Sequence, residues 1–427
     1  MKRVGVAILG LGTVGGGTYR IITEHRDFYK RTQDIDLEVE CVLELNKERI
    51  AALGIPEEKV AANIAEVVSN PGVDIVVEVI GGVGVARTFV QAALSVGKSV
   101  VTSNKELIAK YSYELEKIAR HKNCGLYYEA SCVGGVPIIR TLLDGLQANN
   151  ILSMMGIVNG TTNYILDKMT NEGASYAEVL KQAQALGYAE LDPTADVEGF
   201  DSTYKLSILS SMAFHTKIPY TKIYREGITQ ITQEDIAYGK ELGYVIKLLA
   251  IGKNTPSGIE VRVHPTYVRA SHPLASVNDA FNAVFITGDA VGDVMLYGRG
   301  AGDLPTGSAI VSDVIYAATH SDIKYSTFKN TAAADRETKF VTNFSSAYYL
   351  RMTVCDKVGV LSKISNIFAR RGVSVCEMIQ KDAAEDGKAT LIFITHETKE
   401  QSIHGAVAKI AALDDVAEVN SVIRVVS

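Results

Sequence analysis

Near the start of the chain an apolar run, residues 4–10, ends in Gly10-Leu11-Gly12-Thr13-Val14-Gly15 and gives way to a helical pattern. Few features restrict a fold as sharply. The first glycine permits a tight turn out of a strand, the second lets main-chain amides approach a pyrophosphate, and the third lets the helix pack closely on the strand. The helix start at Thr13 and Val14 adds partial positive charge for the phosphates. A glycine-rich structural turn is the rival reading. The position of the hexapeptide, at the head of the chain between a strand and a helix, favours cofactor contacts from Gly10, Gly12, Thr13, Val14 and Gly15.

The alternation of strand and helix patterns continues to about residue 145. Apolar runs at 37–45, 74–80, 99–102 and 125–129 read as further strands, and Val85, Phe89, Ala92, Ala93 and Val96 recur at helical spacing. This predicts the α/β class, with a Rossmann-type nucleotide-binding domain over residues 1–135. From 151 to about 268 helical patterns dominate, and sheet returns near 283–286 and 294–296. We therefore expect an α+β substrate and dimerisation domain over 136–320, with 300–320 a candidate to return to the first domain. Residues 321–340 are polar and broken by Asn and Thr, which suits an exposed linker over 321–345. The remainder, 346–427, reads strand, helix, two strands, helix, strand, a ferredoxin-like order.

Composition narrows the partners. With 47% hydrophobic and 22% charged residues the chain can bury several cores and is unlike a disordered segment. Its formal net charge of -6 argues against a nucleic-acid partner, which calls for a basic surface. No run reaches the roughly 18 apolar residues of a membrane span. Lys2 and Arg3 lead into the glycine turn rather than an export signal, so the expected location is cytoplasmic. The five cysteines (Cys41, Cys124, Cys132, Cys355, Cys376) lack the paired spacing of zinc sites and read as reduced, buried thiols.

Three polar positions carry candidate chemistry. Glu44 ends the second strand, where an acid meets a ribose 2′-hydroxyl and an arginine would meet a 2′-phosphate; NAD is expected over NADP, with a solvated edge carboxylate as the alternative. Lys47 and Arg49 lie close enough to blur the choice. Ser103 and Lys105 follow the strand at 99–102, at the carboxyl edge where ligands bind. Lys105 can hold an anion there, take part in proton chemistry, or be plain surface. The segment 186–205 is dense in acids, and residues 199–215 read as a helix with Asp201 and Lys205 four apart on one face. The bland reading is a surface ion pair. Leu206, Ile208, Leu209, Met212 and Ala213 make the helix largely apolar, which instead buries Lys205 where an ammonium needs a partner.

Further motifs accompany these: Glu129-Ala130-Ser131, Gly134-Gly135-Val136-Pro137, Asn159-Gly160-Thr161-Thr162-Asn163-Tyr164, His264-Pro265, and the run 300–308. Together with the glycine turn, Ser103-Asn104-Lys105 and the acidic segment, they resemble homoserine dehydrogenase over nearly the whole chain. The resemblance implies reversible hydride transfer, with NAD or NADP, between L-homoserine and L-aspartate 4-semialdehyde in threonine, methionine and isoleucine biosynthesis. It implies Lys205 as proton donor and Lys105 as a second catalytic lysine. Glu190, Asp201, Gly160 and Thr161 would bind substrate, and Gly302 would join the cofactor contacts. It also implies a monovalent cation, Na+ or K+, held mainly by main-chain carbonyls at Glu129, Cys132, Gly134 and Val136; a loop closed by hydrogen bonds and water is the alternative. Gly307 departs from the commoner alanine, with little expected consequence.

The turn Asp356-Lys357-Val358-Gly359-Val360-Leu361 resembles an ACT domain, a regulatory module that binds amino acids at paired domains, although Val358 replaces a frequent proline. That implies feedback inhibition, with threonine the expected effector, and a homodimer or homotetramer. A purely dimerising role stays open. Two other classes also remain: an aldehyde dehydrogenase using Cys132 as nucleophile, and a non-catalytic sensor of nucleotides and amino acids.

Overall fold

The computed structural model describes residues 1–320, 338–384 and 387–426. Five strands, β1 (Lys2–Leu9), β2 (Ile35–Leu43), β3 (Ile75–Glu78), β4 (Ser99–Thr102) and β5 (Leu126–Tyr127), form a parallel sheet in the order β2-β1-β3-β4-β5. Val6 to Leu9, Val76 and Val77 are wholly buried, as expected where helices cover both faces and strands read as continuous apolar runs. The order reverses between β1 and β3, so the crevice at their carboxyl ends is the ligand site of this topology.

A helix from the far side of the chain completes this domain. Asp303–Thr319 crosses the Thr13–Glu24 helix so closely that a Cβ on Gly17 would lie 2.3 Å from the Asp303 carbonyl oxygen. A Cβ on Gly307 would lie 3.0 Å from the Thr18 nitrogen, so the glycine found there tightens this crossing. The chain thus leaves the first domain near 136, builds a second, and returns after Gly302.

The second sheet starts with β6 (Ile151–Ile157), β7 (Tyr224–Arg225), β8 (Tyr244–Thr255), β9 (Gly258–Arg269), β10 (Phe281–Gly288) and β11 (Gly292–Arg299). Here the structure corrects the sequence reading. Residues 244–269, expected within a mainly helical stretch, form the two longest strands described. Tyr244 to Ile251 is apolar with one interruption, Lys247, because the Phe200–Ala213 and Gly160–Glu172 helices lie against one face and the Leu249, Ile251 and Val268 cluster occupies the other. A strand buried on both faces loses its alternation and cannot be told from a buried helix by period.

The last domain contributes β12 (Ser345–Cys355), β13 (Val375–Ala384), β14 (Lys388–Thr395), β15 (Thr398–Lys399) and β16 (Val416–Val426), with helices Val360–Arg370 and Glu400–Ile410 packed around Leu350, Ile364, Phe368 and Ile403. Its spatial order β16-β12-β14-β13 is the ferredoxin-like arrangement. Parallel pairing of Arg424, Val425 and Val426 with Thr266, Tyr267 and Val268 joins it to β9, so one eleven-stranded sheet runs through both domains. Tyr349, Ile394 and Ile423 extend the main apolar core across this seam. Residues 321–337 of the expected linker lie outside the described residues. Among the described residues no helix is long and apolar enough to cross a membrane.

Candidate active site

Two helix starts bring the chemistry together. After β4, the Asn104 side chain accepts from the Leu107 amide at 3.0 Å and caps the Lys105–His121 helix, which places Lys105 at the crevice. Opposite it, Gly199 at φ +79° turns the chain into the Phe200–Ala213 helix. Asp201 and Lys205 lie one turn apart on that helix, and the Lys205 Nζ is 2.7 Å from Asp201 Oδ2. The Lys105 Nζ is 2.7 Å from Asp201 Oδ1. One carboxylate therefore carries two ammonium groups that are a hundred residues apart in sequence. The Lys205 side chain is 10% exposed and also donates to the Val158 carbonyl at 2.6 Å, whereas Lys105 is 44% exposed and open to the crevice. Burial alone would raise the Asp201 carboxyl, but Lys105 and Lys205 outweigh it and hold Asp201 well below the usual carboxylate range. The same attraction, against burial, raises Lys105.

Asn159 and Asp196 lie in stretches that the sequence singles out without marking a role for either, and both belong to this cluster. The Asn159 Nδ2 donates to Asp196 Oδ1 at 2.7 Å and to Asp201 Oδ2 at 2.8 Å, and its Oδ1 caps the Gly160–Glu172 helix through the Thr162 amide. Burial, reinforced by the Asp201 charge, raises the Asp196 carboxyl. Asn-Gly-Thr-Thr is a legible helix start, and that was the only local signal. The Thr161 hydroxyl donates to the Tyr188 carbonyl at 2.6 Å, and Gly160 packs where a Cβ would lie 2.8 Å from the Ala280 carbonyl oxygen. Glu190 is exposed on the loop that follows, and its carboxylate makes no ion pair with the described residues.

At the cofactor end, Gly10 takes φ +93°, and a Cβ on Gly15 would lie 2.0 Å from the Gly10 carbonyl oxygen. Glu44 accepts the Leu11 amide at 2.7 Å and the Leu45 and Asn46 amides at 2.8 Å each. Burial alone would raise it, and those amides hold it below the ordinary value. It thus ties the glycine turn to the end of β2, with Arg49 Nη1 3.6 Å away. Ser103 accepts the Lys105 amide at 3.0 Å, and Gly302, at φ +121°, caps the returning helix.

The 129–136 loop lies beneath the lysines. The Glu129 carboxylate accepts the Ile139 and Arg140 amides, and burial beside Asp313 pushes it up to about 7. Gly134, at φ +52°, packs where a Cβ would lie 2.4 Å from the Gly300 carbonyl oxygen, and the Gly135 amide donates to the Arg299 carbonyl at 3.0 Å. Cys41, Cys124 and Cys132 are buried as expected of the cysteines, but Cys355 is only partly so and Cys376, on a strand of the last domain, is exposed. Cys132 lies against the Lys205 backbone, and burial pushes its thiol up to about 12. A thiolate nucleophile needs the opposite environment, so the Cys132 aldehyde dehydrogenase reading falls.

A crevice at the switch point of a Rossmann-type sheet, facing an ammonium–carboxylate–ammonium cluster that can trade a proton with a polar substrate, defines a nicotinamide-dependent oxidoreductase. Family models for the homoserine dehydrogenase NAD-binding domain and for homoserine dehydrogenase match residues 10–129 and 137–315, and an acetohydroxyacid-synthase-small-subunit-like ACT domain matches 350–418. The chain is 41% identical to homoserine dehydrogenase of Bacillus subtilis, covering 100% of this chain and 99% of the relative, and 43% identical to that of Corynebacterium glutamicum, covering 99% and 95%. A crystal structure of a homoserine dehydrogenase from Thiobacillus denitrificans superposes with a TM-score of 0.94 at 41% identity, covering 100% of this chain and 99% of that one. A hyperthermophilic archaeal homoserine dehydrogenase in complex with NADPH superposes with a TM-score of 0.63 at 29% identity, over 74% of this chain and 97% of that one. The chain belongs to the homoserine dehydrogenase family. It is an enzyme that interconverts L-homoserine and L-aspartate 4-semialdehyde with a nicotinamide nucleotide, and a non-catalytic sensor is not favoured.

Proposed function

We propose that Lys205 is the acid–base of this reaction. In reduction, negative charge grows on the aldehyde oxygen as hydride reaches the carbonyl carbon, and an ammonium at that oxygen stabilises the charge and gives up its proton. In oxidation the resulting amine takes the proton back from the homoserine hydroxyl. The nicotinamide, when bound, supplies or accepts the hydride. Asp201 stays ionised and fixes the Lys205 rotamer. Lys105, the more exposed lysine, contacts the same oxygen from the crevice side. Glu190 and Asp201, with Asp196 beside them, answer the substrate's amino and hydroxyl end, and Gly160 and Thr161 shape the pocket floor. The observation that carries this reading is the pair of 2.7 Å contacts from two lysines to one buried carboxylate. Replacing Lys205→Ala should cut turnover by about 10²–10⁴-fold and leave NADH binding, followed by dihydronicotinamide fluorescence, unchanged. Near-normal turnover in that variant would remove the assignment.

The glycine turn at 10–15, Ser103 and Gly302 are assigned to the cofactor, and NAD is proposed as the preferred nucleotide because Glu44 lies where the adenosine ribose is expected. A monovalent cation, Na+ or K+, is proposed on the carbonyl oxygens of Glu129, Cys132, Gly134 and Val136. The carbonyls of Glu129 and Val136 accept the Cys132 amide at 3.3 Å and the Ile138 amide at 2.8 Å, whereas no main-chain amide of the described residues donates to those of Cys132 and Gly134, which leaves these two as hard oxygen donors. Among the described residues no group of three or more His, Cys, Asp or Glu side chains is placed to hold a metal. The ACT domain is proposed to bind threonine, the enzyme to assemble as a homodimer or homotetramer, and its place of work to be the cytoplasm.

A further inference from the structure

Of the ion pairs by which the C-terminal domain meets the catalytic domain, those made by Arg351 and Arg424 differ in where they lead. Arg351 donates to Asp235 at 2.7 Å and to Thr232 at 3.1 Å, at the start of the Gln233–Glu241 helix, and the Asp235 carboxylate also accepts Ser421 at 2.7 Å. The second bridge is Arg424 on β16, whose Nη1 donates to Glu226 Oε2 at 2.8 Å and whose Nη2 donates to the Tyr224 hydroxyl at 3.0 Å and to Glu400. Its guanidinium is almost wholly buried, with the Glu226 side chain 38% exposed.

Segment 224–228 is wedged between this arginine and the active-site helix. Its inner side is joined to residues 197–200 through Arg225, Gly227 and Ile228. The Ile228 amide donates to the Val197 carbonyl at 2.8 Å, Arg225 donates to the Glu198 carbonyl, and the Arg225 guanidinium lies 3.6 Å over the Phe200 ring. A Cβ on Gly227 would lie 2.4 Å from the Val197 carbonyl oxygen, and one on Gly199 would lie 3.4 Å from the Glu226 carbonyl oxygen. The segment that opens the Asp201 and Lys205 helix therefore rests on 224–228, which is paired to β9 at Arg262 and Val263 through its main chain and is gripped by Arg424 through the side chains of Tyr224 and Glu226.

We propose that Arg424 is a positioning residue for homoserine: through Glu226 it holds segment 224–228 against residues 197–200, and so sets where Asp201 stands between Lys105 and Lys205. The assignment rests on Asp201 as a substrate-binding carboxylate. Its position along a chain of packed, hydrogen-bonded groups makes the coupling large enough to measure.

Glu226→Gln in the full-length enzyme keeps the shape and removes the charge that Arg424 grips. It should raise the KM for homoserine by about tenfold while the KM for NAD moves by less than about twofold. Arg351→Gln breaks another bridge between the same domains, and it should lower Tm at least as much while leaving the homoserine KM within about twofold of the parent. An unchanged homoserine KM in Glu226→Gln, or an equal rise in Arg351→Gln, overturns the proposal. Arg424→Met, if it folds, should match Glu226→Gln, and the double variant should be no worse than either, whereas additive losses would also overturn it. Asp201→Asn separates the two readings. A normal KM and turnover in that variant refutes the site assignment, and a damaged one beside an unaffected Glu226→Gln refutes the Arg424 link alone.

Discussion

In the proposed cofactor site, Glu44 and Arg49 would divide the adenosine end between them. Glu44 is a nearly buried carboxylate committed to three main-chain amides, while Arg49 is about half exposed, with its Nη1 3.9 Å from where a Cβ on Gly12 would sit. The acid disfavours a 2′-phosphate, and the guanidinium can still receive one. The enzyme should therefore turn over faster with NAD at equal concentrations, and Arg49→Ala should lower kcat/KM for NADP by about tenfold with little change for NAD. An NADP preference in the parent enzyme would reverse this assignment. Lys247 poses a different question, because it is an ammonium in the core of β8. It donates to the Val277 carbonyl at 2.6 Å and to Asn163 at 3.2 Å, and burial pushes it down to about 8. The unfolded chain holds that proton to about pH 10.4, so between 8 and that value the unfolded state binds more protons and stability rises with pH. Lys247→Met should flatten that rise in Tm, and an identical pH profile in the variant would show the shift to be absent. At this scale the sequence was informative about half of the site. The i, i+4 spacing of Asp201 and Lys205 and the apolar body of their helix were enough to expect a buried pair. Asn159 joins Asp196 and Asp201 across about forty residues of chain, and no local pattern encodes such a contact.

Elements were legible where their period was clean. The parallel sheet announced itself through short apolar strands and a glycine turn, and β12 to β16 through their alternating order with two amphipathic helices. β8 and β9 were hidden because burial on both faces erases the two-residue alternation that reveals a strand. The 129–136 loop was legible in composition and not in purpose: its glycines imply unusual backbone, and only the folded chain brings Gly134 onto Gly300. That contact makes a sharp expectation. Gly134→Ala puts a Cβ into a left-handed position and 2.4 Å from a carbonyl oxygen, where neither side is a flexible side chain. A loss of about 2 kcal/mol in unfolding free energy is expected, together with reduced turnover, because Cys132 in the same loop lies against the Lys205 backbone. A variant as stable and active as the parent would mean that the loop and the 299–302 turn are free to separate.

For the whole molecule, the sequence set out the succession of domains but not their attachment. The third domain is no loosely tethered module, since its last strand pairs with β9 and its Tyr349 ring meets Tyr267 edge-on at 4.8 Å between centroids. An amino acid bound at the Asp356–Gly359 turn would therefore act on a body continuous with the catalytic domain. The Gly359 backbone, at φ +90°, has open space where a side chain would stand. Millimolar threonine is expected to depress turnover and raise Tm, and Gly359→Asp is expected to abolish both effects while sparing basal turnover. Flat responses to threonine and to the other amino acids would leave assembly as the role of this domain.

The chain passes between the first and second domains twice, near 136 and near 300, and the two passages are bonded to each other through Gly135 and Arg299. Side-by-side crossings constrain two bodies as paired pins constrain a door. Sliding or twisting of one domain past the other would break that bond, whereas rocking about the line of the crossings would not. On its far side the mouth of the crevice is fastened again by the 2.7 Å contact between Lys105 and Asp201, so any widening above the lysines has to give up that ion pair.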